Sequence, residues 1–374
     1  MCFDGGNMRI LFLAAADSTH TARWVNALSE RGHEVYLICN RGHAPKIDNL
    51  AEKVKLYLLK HSGMKGYYLN SLELRKITKT VKPDVINVHY ASGYGTLARI
   101  ARVQPTLLSV WGSDVYEFPY QSKCKEKILK KNLRYARGIA ATSYCMAEQV
   151  RKVLNDSQKE IAVTPFGIDI SKFAPWNEEK GNSNIVIGNV KSLKSVYGIE
   201  DLIKAFNMLY QELNNENKCR IAELLRLEIY GDGEDKGKLE KLIRGLRLED
   251  KIILKGKIPN EQVPKVLNKM DIFCATSLRE SFGVSLLEAM AMKLPIVATD
   301  TVGFKEVVGD AGLVVDTGNI EKISKALKRL VLDTALRKEY GEKGRKRVKE
   351  LYDWDENVSK MEILYDKYKI YSSK

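Results

Sequence analysis

Short apolar runs alternate with helix-length periodic segments along most of the chain, and this rhythm restricts the fold more than any other feature. The first series predicts strands at 8–16, 33–39, 54–59, 84–90, 105–111, 138–143 and 161–167. Helices are predicted at 21–31, near 67–81, and at 93–103, 123–137 and 144–154. Such an order builds a parallel sheet covered by helices on both faces. A polar, strand-free passage at 174–183 interrupts it, and the rhythm restarts with strands at N184-I-V-I-G-N-V, L227-E-I-Y, I252-I-L-K-G, D271-I-F-C-A-T, I296-V-A-T and G312-L-V-V. Helices at 199–213, 235–247, 260–269 and 283–292 separate them, and 319–374 reads as helices. The last helix carries Val358, Met361, Leu364 and Tyr365 at helical spacing and needs a surface to cover.

With 374 residues the chain is too long for one comfortable core. The expected class is α/β, with two Rossmann-like, doubly wound domains facing a cleft. Residues 1–168 form the first, 169–183 a linker, 184–352 the second, and 353–374 a terminal helix. No uncharged apolar stretch approaches the ~20 residues of a spanning helix. The opening M1-C-F-D-G-G-N lacks the regions of a secretory or lipoprotein signal and reads as a short extension before the strand at Met8.

Six cysteines, at 2, 39, 124, 145, 219 and 274, form no C-x-x-C pair, and the five histidines have no ligand-like spacing. Reduced cysteines in a cytoplasmic enzyme without a transition metal are expected. The net charge of +14 is uneven: residues 1–168 carry +11 and the remainder +3. A basic first half implies an anionic partner: membrane lipid, a phosphorylated acceptor or nucleic acid. The surplus concentrates in K123-C-K-E-K-I-L-K-K-N-L-R-Y-A-R137, with Ile128, Leu129, Leu133 and Ala136 on its apolar side. Two readings stay open: a basic amphipathic helix lying on an anionic membrane, or a sheet-covering helix with a solvated basic face.

The most chemical segment is D271-I-F-C-A-T-S-L-R-E280-S-F-G-V-S-L-L-E288-A-M-A-M-K. A strand ending near Thr276, a loop carrying Glu280 and a helix opened by Gly283 would present free N–H groups and a positive dipole end, which suit a phosphate. Within V284-S-L-L-E-A-M-A-M the only charge is Glu288, with Ser285 three residues before it on the same face. An unpaired buried carboxylate costs on the order of several kcal/mol, so Glu288 requires partners. Sugar or ribose hydroxyls would serve, and so would a lysine, while Glu280 could equally be a solvated loop residue.

The stretch E280-S-F-G-V-S-L-L-E288-A-M-A-M-K-L-P-I-V-A-T-D resembles the donor-binding signature of retaining family 4 glycosyltransferases with the GT-B fold. The likeness extends through V302-G-F-K-E-V-V, I252-I-L-K-G-K-I, Y230-G-D-G, T164-P-F-G-I-D-I-S-K-F-A-P and R31-G-H-E-V, and covers essentially the whole chain. It implies that Glu280 contacts donor-sugar hydroxyls and that the backbone of Ser281, Phe282, Gly283, Val284 and Ser285 meets the diphosphate. It also implies that Glu288 binds ribose, that Lys257 and Ile258 flank the base, that Gly231 and Gly233 border the nucleotide, and that the terminal helix crosses back to the first domain.

The chain departs from that family in two places. K191-S-L-K-S-V-Y-G198 stands where the family usually has G-R-L-x-x-x-K-G, so Ser192 and Tyr197 occupy the positions of the diphosphate-holding cations. Lys191 and Lys194 are the available replacements. In V110-W-G-S-D114, Trp111 stands where a histidine is common, and Asp114 or His89 of N87-V-H-Y is expected to supply the missing polarity. Ser18, Thr19 and His20 of D17-S-T-H20 replace a glycine pair and are placed to close over the donor phosphates.

The resemblance implies front-face attack in which the leaving diphosphate takes the acceptor's proton, with no metal and no cofactor beyond the nucleotide sugar. The only D-x-D, D353-W-D355, reads as a helix cap. The expected reaction moves a hexose-type sugar to a glycan or lipid-linked acceptor in cell-surface polysaccharide or glycoconjugate synthesis, in the cytoplasm or at the inner face of the membrane. A sugar-nucleotide epimerase on the same fold is the rival enzyme. A nucleic-acid binder would account for the charge but not for the glutamates, and L11-F-L-A-A-A-D-S-T-H lacks the glycines of a dehydrogenase.

Overall fold

The computed structural model describes residues 6–46, 49–176 and 184–370. Two compact units form, one from Met1–Phe166 with Asp355–Lys374 and the other from Gly167–Trp354. The first holds β1 (Arg9–Leu13), β2 (Glu34–Asn40), β3 (Lys55–Leu59), β4 (Val85–His89), β5 (Leu107–Val110), β6 (Gly138–Ala141) and β7 (Ala162–Val163). They pair in the order β3-β2-β1-β4-β5-β6-β7, every pair parallel. β1, β4 and β5 are buried almost throughout because helices lie over both faces, which is why their sequences are continuously apolar.

The second unit repeats the plan with β8 (Ile185–Val190), β9 (Leu225–Tyr230), β10 (Ile252–Gly256), β11 (Ile272–Ala275), β12 (Ile296–Thr299) and β13 (Gly312–Val315). Their order is β10-β9-β8-β11-β12-β13, again all parallel. Helices Ile199–Asn215 and Ile320–Leu332 bury Phe206, Leu209, Leu213, Leu327 and Leu330 against this sheet.

Several elements differ from expectation. The single helix near 67–81 is two, Gly63–Leu69 and Ser71–Val81. Between them the buried Asn70 amide donates to Asn40 Oδ1 and the His61 carbonyl while its Oδ1 accepts the His61 N–H, which breaks the helix by side-chain competition. The strand at 161–167 shrinks to two residues. The helix at 260–269 becomes a 3-10 turn and the short helix Val263–Leu267, with Pro264 near its start. Helices Cys219–Leu224 and Val302–Val308 were not foreseen. Of the expected linker, residues 177–183 lie outside the described ones; the stretch before them is fastened by Arg345, whose guanidinium donates to the Ile170, Phe173 and Ala291 carbonyls. Residues 1–5 of the expected N-terminal extension, with Cys2, and 371–374 of the terminal segment also lie outside.

The terminal helix, Trp354–Tyr368, packs within the first unit from Asp355 onward. Its Val358, Met361 and Tyr365 are buried, and the Tyr365 hydroxyl meets Asn87 at 2.6 Å, while Leu364 is only half-buried. Glu362, 4% exposed, accepts from Arg31 at 2.7 Å and from His33 Nε2 at 3.0 Å. Because His33 Nδ1 accepts the Met8 N–H, Nε2 carries the proton given to Glu362. Asp355 sits in the first turn, 3.8 Å from Arg31. Among the described residues no helix is long and apolar enough to cross a membrane, no cluster could hold a metal, and cysteines 39, 124, 145, 219 and 274 form no disulfide.

Candidate active site

In each sheet the chain turns outward in opposite directions from its two central strands, β1 and β4 or β8 and β11. The carboxyl ends of such a pair leave a crevice in which ligands of doubly wound sheets sit. The loops bearing the predicted residues leave from these ends.

In the second unit a cavity of about 480 Å³ opens beyond β8, β9 and β10, lined among others by Lys191, Ser192, Gly231, Gly233, Lys257 and Ile258. Gly231 adopts φ +151°, and a Cβ there would overlap the Lys191 carbonyl, so only glycine lets the two loops approach. The loops are laced by Lys191 N–H to Tyr230 O at 2.9 Å and Leu193 N–H to Asp232 O at 3.0 Å. The loop after β11 is held to the one after β8 by Thr276 Oγ1–H to Gly198 O at 2.8 Å and Leu278 N–H to Val196 O at 2.8 Å.

Lys191 joins the two parts of this site. Its Nζ donates to Glu280 Oε2 at 2.6 Å and lies 4.4 Å from the centre of the Tyr197 ring. Glu280 is therefore a half-buried partner in an ion pair rather than a solvated loop residue. Lys194 is exposed at the N-terminal cap of the 3-10 turn Ser195–Tyr197 and lies outside the cavity lining. Helix Val284–Ala291 starts at Gly283, φ +114°, with no side-chain cap; the Leu286 N–H donates to the Gly283 carbonyl at 3.1 Å, while no capping side chain takes the Val284 and Ser285 N–H groups. Ser281, Val284, Ser285 and Glu288 are half-buried; Phe282 is buried, edge-on to Tyr352 at 5.9 Å.

In the first unit Trp111 is the hub. Its ring centre lies 4.2 Å from His89, 5.4 Å from Tyr90, 5.3 Å from Phe166 and 6.0 Å from His20, and His20 stacks flat on Phe166 at 3.9 Å. Burial drives His89 down to about 3, helped by His20. Burial, then the charge of Arg23, lowers His20 to about 4. Both rings are neutral at neutral pH. His89 Nδ1 lies 3.5 Å from Thr21 Oγ1, and His20 Nδ1 is buried without a hydrogen-bond partner.

Asp114 is buried in the same unit. Its carboxylate accepts the N–H groups of Ala91, Trp111 and Gly112 at 2.9, 3.1 and 3.0 Å, which frames the loops after β4 and β5. Burial raises its pKa and these amides oppose the rise. Ser18 caps helix Thr19–Glu30, accepting from Thr21 N–H at 3.5 Å, and Thr19 is exposed.

Sequence reasoning passed over a second cavity, of about 440 Å³, at the crevice between the ends of β1 and β4. Asp17, His43, Tyr67, Tyr90, Tyr94 and Ile128 are among its walls. His43 Nδ1 and the Tyr94 hydroxyl are 2.7 Å apart. Tyr90 holds φ +67°, a costly conformation for a bulky residue, and thereby sets one ring between this cavity and Trp111. The signal available beforehand was the recurrence of tyrosine at 67, 68, 90 and 94.

Helix Lys123–Tyr135 turns Leu129 and Leu133 into the first unit and leaves Lys123, Lys127, Lys131 and Arg134 exposed. Its apolar side is thus used within the fold and is not offered to lipid.

Comparison with known proteins agrees with this geometry. Residues 171–347 match the family of glycosyl transferases group 1, and residues 9–143 match glycosyl transferase 4-like. The N-acetyl-alpha-D-glucosaminyl L-malate synthase of Bacillus anthracis is 23% identical over 365 residues, covering 90% of each chain. A glycosyltransferase from Rickettsia africae superposes with a TM-score of 0.81 at 18% identity over 97% of this chain and 99% of that one. HepE of Anabaena in complex with UDP gives 0.75 at 16% identity over 96% and 100%. Two parallel sheets of seven and six strands, with matches to the family in both units, make this chain a GT-B glycosyltransferase of the group 1, family 4-like kind.

Proposed function

We propose that the enzyme transfers a hexose-type sugar, with retention, from a nucleotide-diphosphate sugar held by the second unit to a glycan or lipid-linked acceptor held by the first. The observation that carries this reading is the convergence of Lys191, Glu280 and the 480 Å³ cavity on one crevice. There Gly231, Lys257 and Ile258 flank the nucleoside, Lys191 and the N–H groups of helix Val284–Ala291 offset the diphosphate charge, and Glu280 accepts from sugar hydroxyls. The acceptor hydroxyl attacks the anomeric carbon as its bond to the diphosphate breaks, and the departing phosphate oxygen takes the proton. No dedicated base is then needed, which suits imidazoles that burial lowers to about 4 at His20 and about 3 at His89 and so makes weak proton acceptors.

The tyrosine-lined cavity of the first unit supports an acceptor sugar: aromatic faces pack against a pyranose, and Asp17 can accept its hydroxyls. It also favours transfer over epimerisation, which needs no acceptor. Relatives named for teichuronic acid biosynthesis and capsular polysaccharide biosynthesis support a cell-surface product. HepE, solved with UDP-glucose, supports a nucleotide-sugar donor.

The test is a screen of UDP-, GDP- and ADP-sugars by thermal shift and donor hydrolysis, with Glu280→Gln as control. One donor is expected to stabilise the wild-type chain, and the variant is expected to hydrolyse it about 100-fold more slowly. A variant as active as wild type would refute the assignment. Turnover is expected to survive chelation; loss on EDTA treatment that Mg2+ restores would refute a metal-free mechanism.

A further inference from the structure

We propose that the Lys191–Glu280 ion pair is a latch that distinguishes a nucleotide sugar from the bare nucleoside diphosphate, and that Tyr197 is the seat of that latch. The inference rests on the donor-site reading above. Lys191 lines the cavity wall, yet its ammonium is already engaged: Glu280 accepts one of its three N–H groups at 2.6 Å, and the Tyr197 ring lies beneath it at 4.4 Å. Both charged side chains are largely shielded, 22% and 17% exposed, so they sense each other more strongly than a surface pair would.

A diphosphate entering the cavity must draw on this ammonium while the Glu280 carboxylate, beside it, both competes for the amine and repels the incoming charge. A nucleotide sugar brings hydroxyls that donate to Glu280 and replace the N–H it gives up. The nucleoside diphosphate left after transfer brings none. Glu280 therefore penalises the product relative to the donor, which favours product release. The loop bonds from Thr276 to Gly198 and from Leu278 to Val196 keep Glu280 from swinging away with its backbone. Tyr197 keeps the amine over the cavity through the exchange. It is a positioning residue, since it reaches the ligand only through Lys191.

The experiment is calorimetric titration of the full chain with UDP, GDP and ADP, followed by the tightest binder against the variants. Glu280→Gln is expected to bind that nucleoside diphosphate about fivefold more tightly than wild type, and Lys191→Met about tenfold more weakly. In the double variant the gain from Glu280→Gln is expected to vanish, because the amine it would have freed is gone. Tyr197→Leu is expected to weaken binding about threefold, with Tyr197→Phe restoring it, since the ring face alone is needed. Thermal unfolding midpoints of each variant separate loss of fold from loss of affinity. Unchanged or weaker binding by Glu280→Gln overturns the latch, as does a gain that persists without Lys191. Equal binding by Tyr197→Leu removes the seat. Binding of none of the three nucleotides by the wild-type chain instead overturns the donor-site reading itself.

Discussion

Trp111 is packed among rings, two of them imidazoles that burial keeps from taking a proton, and this has a thermodynamic consequence. His20 and His89 have an ordinary pKa of 6.5 when exposed, and near 4 and 3 when folded. Between those values the unfolded chain binds protons that the folded chain refuses, so the stability these rings contribute is complete above about pH 6.5 and drains away as the pH falls, to about 4 for His20 and about 3 for His89. Urea denaturation midpoints at pH 7 and pH 5 measure this. His20→Phe, which keeps the stack on Phe166 but cannot titrate, is expected to lose less stability on acidification than wild type. The roles of His89 and Asp114 were not legible in the sequence, because a string of residues does not reveal that three backbone amides converge on one carboxylate. Glu280 was legible as important but not as paired: its lysine lies 89 positions away.

Among the elements, the terminal helix is held by charge as well as by packing. Glu362 is buried and shared by Arg31 and His33, and removing one partner from such a group strands the others. Glu362→Leu is expected to cost about 3 kcal/mol, read as a lower urea midpoint for the first unit. The apolar stripe Val358, Met361 and Tyr365 was plain from its spacing, whereas the buried glutamate between them was not, since its partners lie more than 300 positions away. Helix Lys123–Tyr135 shows the same division. Its two faces were evident from sequence, but the choice between lipid and the interior of the first unit for Leu129 and Leu133 belonged to the surrounding fold. The helix break at Asn70 escaped notice because Asn40 and His61 complete it.

For the molecule as a whole, the uneven charge is what remains of the membrane reading. With the apolar side of its basic helix turned inward, any attraction to an anionic surface is electrostatic alone and must be screened by salt. Sedimentation with anionic vesicles is expected at low ionic strength, to vanish at high salt, and to be lost when Lys123, Lys127, Lys131 and Arg134 are neutralised together; no binding at low salt would reject it. Local pattern alone specified the two parallel sheets, the strand-ending loops, Glu280 on one of them and Glu288 on the helix that follows. Periodicity and hydrophobicity are local properties, and a parallel sheet buried on both faces writes them into every strand. Packing in three dimensions settled which lysine meets Glu280, that Tyr197 lies beneath it, that Asp114 holds loops together, and that scattered tyrosines wall a cavity. The Lys191–Glu280 pair joins residues 89 positions apart, and even the near neighbours, Lys191 over Tyr197 and Asp114 on the Trp111 and Gly112 N–H groups, meet only through loop geometry that the folded sheet imposes.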